Sequence, residues 1–238
     1  MIESVVNNIL THTRAHFPEE ACGLVAIRKG KTKFYPCENK AADPLIDFSI
    51  DPKEYRKVSK EADIIGIIHN HPQGTASPSP LDKAVCNKLG IPWYIFDKGE
   101  SYTKIEPENT GKLDLIGREF VFGAYDCFTI IQDYFEELEI YIEAVPYDWE
   151  FWEKGHNLYV DNYTSRGFHR IIDGSLKIHD VILMAVGSDI ANHAGIYVGD
   201  FKILHHAPYR LSCRDNYNGI WKQHTRDILR HERFLWEK

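Results

Sequence analysis

The chain has 238 residues, a hydrophobic fraction of 43% and a formal net charge of −7, enough apolar content for the core of one large domain or two small ones. Net acidity without a basic block argues against a nucleic-acid partner, no apolar run approaches bilayer-spanning length, and the start Met1-Ile2-Glu3-Ser4 lacks a basic then apolar leader. Five scattered cysteines (Cys22, Cys37, Cys86, Cys127 and Cys213) without CxxC spacing argue against a disulfide framework and for synthesis in a reducing cytoplasm.

Residues 2 to 17 carry Ile2, Val5, Val6, Ile9, Leu10 and Phe17 at helical spacing, with His12 and His16 on the polar face and given no role. Gly23–Ile27 and Lys33–Cys37 read as strands joined at Lys29-Gly30-Lys31. Asp51-Pro52 opens a helix with an N-cap and a proline. The run Ile64-Ile65-Gly66-Ile67-Ile68-His69-Asn70-His71-Pro72 reads as a buried strand that puts His69 and His71 on one face. Ser79 then fits an N-cap and Pro80 the first helical position, so Asp82 falls in the first turn, facing back toward the strand end. Two imidazoles and one carboxylate with a fourth position open make a catalytic rather than a structural zinc set. Gly90 fits a C-cap, Pro92–Phe96 one more strand, and the polar, glycine-bearing stretch Lys98–Lys112 a linker.

The second half is organised around Gly117-Arg118-Glu119-Phe120-Val121-Phe122-Gly123-Ala124-Tyr125-Asp126-Cys127, with Phe128, Ile131, Tyr134, Phe135 and Leu138 following at helical spacing. Asp126 as N-cap places Cys127 at the first helical position, where the helix dipole and unsatisfied N–H groups favour thiolate. Asp180–Val186, His193–Gly199 and Lys202–His206 read as strands, and Ile220–Arg230 as a helix with Trp221, Thr225 and Ile228 or Leu229 along one side. Trp149 and Trp152, amid Tyr147 and Phe151, fit either a substrate groove or a core. Cys22, Cys37, Cys86 and Cys213 are expected to pack as small apolar residues.

His69-x-His71 followed by Ser79-x-x-Asp82, with Glu20-x-Cys22-Gly23 upstream, resembles the JAMM-type metallopeptidases. The resemblance implies Zn2+ held by His69, His71 and Asp82, Glu20 as general base and Ser79 as hydrogen-bond donor to the oxyanion. Asp126-Cys127 and His193-Ala194-Gly195-Ile196-Tyr197-Val198-Gly199 resemble the NlpC-type, papain-like cysteine peptidases. That resemblance implies Cys127 as nucleophile, His193 as its base and a third polar residue on the next strand. The strand register decides between His205 and His206, and sequence does not fix it. Phe120 stands where that family carries an oxyanion-holding tyrosine, and Tyr125 is the nearer hydroxyl.

The resemblances imply an α/β (α+β) chain in two parts. Residues 1–106 form a JAMM-type mixed sheet with flanking helices, and residues 107–238 a papain-like NlpC-type domain with an antiparallel sheet. The order of the two resembles tail assembly proteins of long-tailed bacteriophages. This implies tail-tip proteins as partners, bacterial peptidoglycan or another peptide as substrate, and the host cytoplasm or the virion tail tip as location. Maturation of a tail protein, or a structural role with inactive sites, stands as the alternative.

Overall fold

The computed structural model describes residues 1–98, 100–108, 113–145, 147 and 150–236. The chain divides into two compact units, Met1–Lys112 and Leu113–Lys238.

The first unit runs α1 (Glu3–His16), β1 (Cys22–Arg28), β2 (Lys31–Cys37), α2 (Pro52–Ser59), β3 (Asp63–His71), α3 (Pro80–Leu89), β4 (Trp93–Asp97) and β5 (Tyr102–Ile105). The sheet order is β2-β1-β3-β4-β5. Only β3 and β4 run parallel, so the sheet is mixed. Strand alternation divides the core into two layers. Leu24, Ala26 and Ile67 pack with Val58 of α2 and Cys86 of α3. Val25, Ile68 and Phe96 pack with Val5, Ile9 and Leu10 of α1 on the other face. Ile9 and Ile68 are fully buried, and truncating either to alanine would cost about 2–5 kcal/mol. The Asp51 carboxylate caps α2 by accepting from Lys53 N–H at 2.7 Å. Gly90 closes α3 at φ +64°, a left-handed conformation that costs glycine little.

One expectation fails here. The stretch taken for a linker contains β5, whose residues alternate between exposed and half-buried as they pair with β4. An edge strand bonds on one side only, so it tolerates the polar composition that reads as a loop. Gly99 and residues 109–112 of that stretch lie outside the described residues.

The second unit runs α4 (Thr129–Glu137), α5 (Leu158–Asn162), β6 (Phe168–Arg170), β7 (Val181–Met184), β8 (His193–Tyr197), β9 (Lys202–His205), β10 (Cys213–Asn216), α6 (Gly219–Gln223) and β11 (Thr225–His231). Its sheet has the order β10-β9-β8-β7-β11-β6, antiparallel throughout. Ile131 and Phe135 of α4 pack on Val181, Leu183, Ala194, Ile196 and Leu204. Ile182, Met184 and Ile203 face the other way, toward Tyr217 and Trp221. Two buried ion pairs brace the unit: Arg230 grips Asp180 with two hydrogen bonds of 2.7 and 2.8 Å, and Arg118 pairs with Asp133.

The helix expected over Ile220–Arg230 is instead the single turn α6 followed by β11. Trp221, Thr225 and Ile228 satisfy a helical spacing, but over so short a run the strand reading competes, and pairing to both β6 and β7 decides it. Phe151 belongs to the core and Tyr147 and Trp152 pack against it, while Trp149 lies outside the described residues. No helix among the described residues is long and apolar enough to cross a membrane.

Candidate functional sites

In the first unit, strand alternation aims His69 and His71 toward the layer of α2 and α3, and Asp82 meets them from the first turn of α3. His69 Nε2 lies 3.1 Å from His71 Nε2 and 3.2 Å from an Asp82 oxygen, and His71 Nε2 lies 3.6 Å from the other oxygen. Tetrahedral zinc with bonds of about 2.0–2.1 Å places its ligand atoms about 3.3–3.4 Å apart, so the three donors fit the ion. The tautomers fit as well. His71 Nδ1 sits 2.9 Å from the Thr75 carbonyl, which can only accept, so the Nε2 lone pair faces the other donors. His69 is buried with its ring stacked on Phe48 at 4.5 Å, and its Nδ1 has no hydrogen-bond partner among the described residues.

Burial pushes the Asp82 carboxyl up, but hydrogen bonds from His69 and His71 outweigh it and hold the group well below the usual range. Ser79 and Asp82 form a capping box: Ser79 Oγ accepts from Asp82 N–H at 3.0 Å, and the Asp82 carboxylate accepts from Ser79 N–H at 2.6 Å. The cap uses a lone pair of the Ser79 oxygen, so the hydroxyl proton is still available to donate.

Glu20 lies two residues before Cys22, which pairs with His69 across β1 and β3. The register carried outward sets Glu20 opposite His71. The Pro44 carbonyl accepts from its N–H at 2.7 Å, and Asn70 Oδ1 accepts from the neighbouring Ala21 N–H at 2.7 Å. Burial raises the Glu20 carboxyl to about 7, with His71 opposing and Asp47 and Asp82 adding.

In the second unit, the Asp126 carbonyl accepts from Ile130 N–H and the Asp126 carboxylate from Phe128 and Thr129 N–H at 2.9 Å each, so Asp126 organises the turn that leads into α4, which begins at Thr129 and not at Cys127 as expected. Cys127 therefore lies in that turn, two residues before α4, half-buried. Its thiol lies 3.2 Å from the Tyr159 hydroxyl, with the Ala194 N–H, next to His193, as another polar neighbour. Among the described residues no hydrogen bond joins Cys127 to His193. The expected low thiol pKa is also overturned. Burial pushes it up to about 12, Asp126 adds to this, and Tyr159 and the Ala194 N–H only partly oppose. Desolvation is the dominant influence on this thiol.

The β8–β9 register places His205, and not His206, beside His193. Gly195 pairs with His205 across a three-residue turn at Gly199-Asp200-Phe201, which sets His193 and His205 on one face and His206 on the other. His193 Nε2 and His205 Nδ1 are 2.9 Å apart. Gly195 makes room: a Cβ there would sit 3.1 Å from the His205 Cβ and 3.2 Å from the Leu204 carbonyl. His206 instead lies edge-on to Phe120. Burial lowers the His193 pKa to about 3, so its ring is neutral at pH 7.

Two groups have no motif to mark them. Tyr159 reaches Cys127 from α5, and Asp215 on β10 meets His205 Nε2 at 3.2 Å. Cys213 does not pack as an apolar residue: its sulfur lies 3.6 Å from an Asp215 oxygen and 3.5 Å from Arg210. A Cys-x-Asp pair on an edge strand gives no sequence signal until its register with His205 is known. Tyr125, the other candidate hydroxyl, lies with its ring under the Arg118 guanidinium, 5.4 Å from ring centre to charge.

Comparison with known proteins agrees with this division. Residues 3–107 match the family described as prokaryotic homologs of the JAB domain, and residues 117–230 match the NlpC/P60 family. The tail tip assembly protein K of Escherichia phage N15 is 35% identical over 239 residues, covering 98% of this chain and 96% of that protein. Its counterpart in Escherichia phage lambda is 30% identical over 183 residues, 76% of this chain and 89% of that protein. A probable TtuB-protein conjugate cleaving protease of Thermus thermophilus is 33% identical over 101 residues, 39% of this chain and 68% of that protein. Carrying both modules in this order along nearly its whole length, the chain belongs to the tail tip assembly protein K family.

Proposed function

We propose that the chain is a two-site peptidase of the phage tail tip, with residues 1–106 acting as a zinc metallopeptidase and residues 107–238 as a cysteine peptidase. The observation that carries the reading is the convergence of His69, His71 and Asp82 at ligand spacing beside the buried Glu20. Zinc held there supplies a Lewis acid that lowers the pKa of water to roughly 7. Glu20 takes a proton from the attacking water and returns it to the leaving amine. The Ser79 hydroxyl donates to the developing oxyanion. A bond of the protein-conjugate type, as in the name of the Thermus relative, is the natural substrate class for this site.

In the second unit the Cys127 thiol proton passes to His193, and the sulfur attacks an amide carbonyl carbon. The C–N bond breaks as His193 returns the proton to the amine. Water then cleaves the thioester and regenerates the thiol. The thiol must first turn from Tyr159 toward His193, a rearrangement in keeping with the looser contacts of substrate-free sites. The substrate proposed is the stem peptide or cross-bridge of bacterial peptidoglycan, reached from the virion tail tip after synthesis in the host cytoplasm. Tail-tip proteins are the partners.

The test is release of peptide fragments from purified peptidoglycan by the full chain. Release is expected from the wild type and from His71→Ala, and none from Cys127→Ala. Equal release by Cys127→Ala and wild type would exclude the second site as its source. Cleavage of a co-expressed tail protein with intact peptidoglycan would favour the maturation reading.

A further inference from the structure

A half-buried carboxylate stands two imidazoles away from the proposed nucleophile. Asp215 Oδ2 lies 3.2 Å from His205 Nε2, His205 Nδ1 lies 2.9 Å from His193 Nε2, and His193 stands next to Ala194, whose N–H faces the Cys127 thiol. The carboxylate is itself fixed. Arg210 donates to its two oxygens at 3.0 and 3.4 Å, and the Trp221 indole N–H donates at 3.3 Å. Trp221 also covers both imidazoles, with ring centres 4.5 Å from His205 and 5.5 Å from His193.

Proton counting gives this row a direction. An ionised carboxylate only accepts, so His205 must present Nε2–H to it. Neutral His205 then has a lone pair at Nδ1, which accepts from His193 Nε2–H. Neutral His193 in turn has its lone pair at Nδ1, the nitrogen not engaged by His205. Only this arrangement leaves His193 able to receive a thiol proton. Burial lowers the pKa of both rings and keeps them neutral, while hydrogen bonds from Arg210 and His205 outweigh burial and keep Asp215 ionised.

We infer that Asp215 is a positioning residue of the cysteine site, setting the tautomer of His193 through His205. The inference rests on the cysteine-peptidase reading and adds a fourth member to it. His205, Cys213 and Asp215 also have donors suited to a soft cation. The Arg210 guanidinium already brings positive charge to Asp215 and Cys213, so the cluster is read as part of the row and not as a metal site.

Imidazole 15N chemical shifts of the full chain test this directly, since they separate Nε2–H from Nδ1–H rings whether or not the thiol reacts. Wild type should show His193 and His205 each protonated at Nε2. Asp215→Ala should give mixed tautomers and roughly tenfold slower alkylation of Cys127 by iodoacetamide. Asp215→Asn should recover part of both, because its amide oxygen can accept from His205, while its NH2 replaces the oxygen to which Arg210 and Cys213 donate. A single Nε2–H tautomer at His193 and unchanged alkylation in a folded Asp215→Ala chain would overturn the inference. If His193→Ala slows alkylation and Asp215→Ala does not, the peptidase reading stands and the inference falls. If neither slows it, both fall.

Discussion

The two sites are assembled in opposite ways. The first draws His69, His71 and Asp82 from one strand and the helix that follows it, and their mutual attraction holds the Asp82 carboxyl ionised. The second gathers Cys127, Tyr159, His193, His205 and Asp215 from the turn before α4, one helix and three strands, and burial pushes the thiol up to about 12. A cation site needs its charges in place before the ion arrives. A thiol site can remain neutral until a substrate displaces water and a base takes the proton.

Removing one ligand is the largest test of this contrast. His69→Ala or Asp82→Ala should lower zinc from about one ion per chain to near none by elemental analysis, while Glu20→Gln keeps the ion and loses cleavage. Full zinc occupancy in either ligand variant would break the comparison at its first term. The next test strikes the fold of the second unit. Arg230→Met leaves the fully buried Asp180 without its partner and should cost about 3–5 kcal/mol of that unit's stability by denaturant titration. Cys127 should then alkylate indiscriminately while zinc binding is unchanged. Loss of zinc together with the second unit would show that the units do not fold independently.

That asymmetry also explains what the sequence could disclose. A site built from neighbours in the chain leaves its spacing behind, and His69, His71, Ser79 and Asp82 could be recognised before any fold was known. Cys127 and His193 could be placed because a capping aspartate and a glycine-bearing strand mark them. His205 against His206 could not, since one residue of turn length moves the whole strand face. Asp215 and Tyr159 depend on the packing of separate elements. The helix misread over residues 220–230 failed for a related reason, because its apolar spacing suits two periods and only β6 and β7 choose between them.

Two smaller effects sharpen the comparison. Burial raises the Cys37 thiol to about 12, with Glu54 adding. Folded chain therefore holds this proton from roughly pH 8.5 upward while unfolded chain gives it up, and stability must fall as pH rises through that window. By pH 10 the loss from this group is on the order of 2 kcal/mol, and Cys37→Ala should make the alkaline decline of the thermal unfolding profile shallower by about that amount, the Cys22 and Cys127 thiols keeping their own share. An identical alkaline decline in the variant would assign it to other groups. Tyr159→Phe removes a hydrogen bond that favours thiolate, so Cys127 should alkylate about fivefold more slowly, as for a contact of about 1 kcal/mol. Faster alkylation would mean that the hydroxyl shields the sulfur.

The Ser79–Asp82 capping box carries a consequence for the order of events in the chain's life. The carboxylate is fixed to its own helix start by the Ser79 N–H, and Asp82 N–H is fixed by the Ser79 oxygen. Folding alone therefore sets this carboxylate beside His69 and His71, so the proposed zinc site would be ready to take up its ion after the chain has folded. Asp82→Glu keeps the charge and can make the same cap, but its extra methylene would shift the carboxylate relative to His69 and His71.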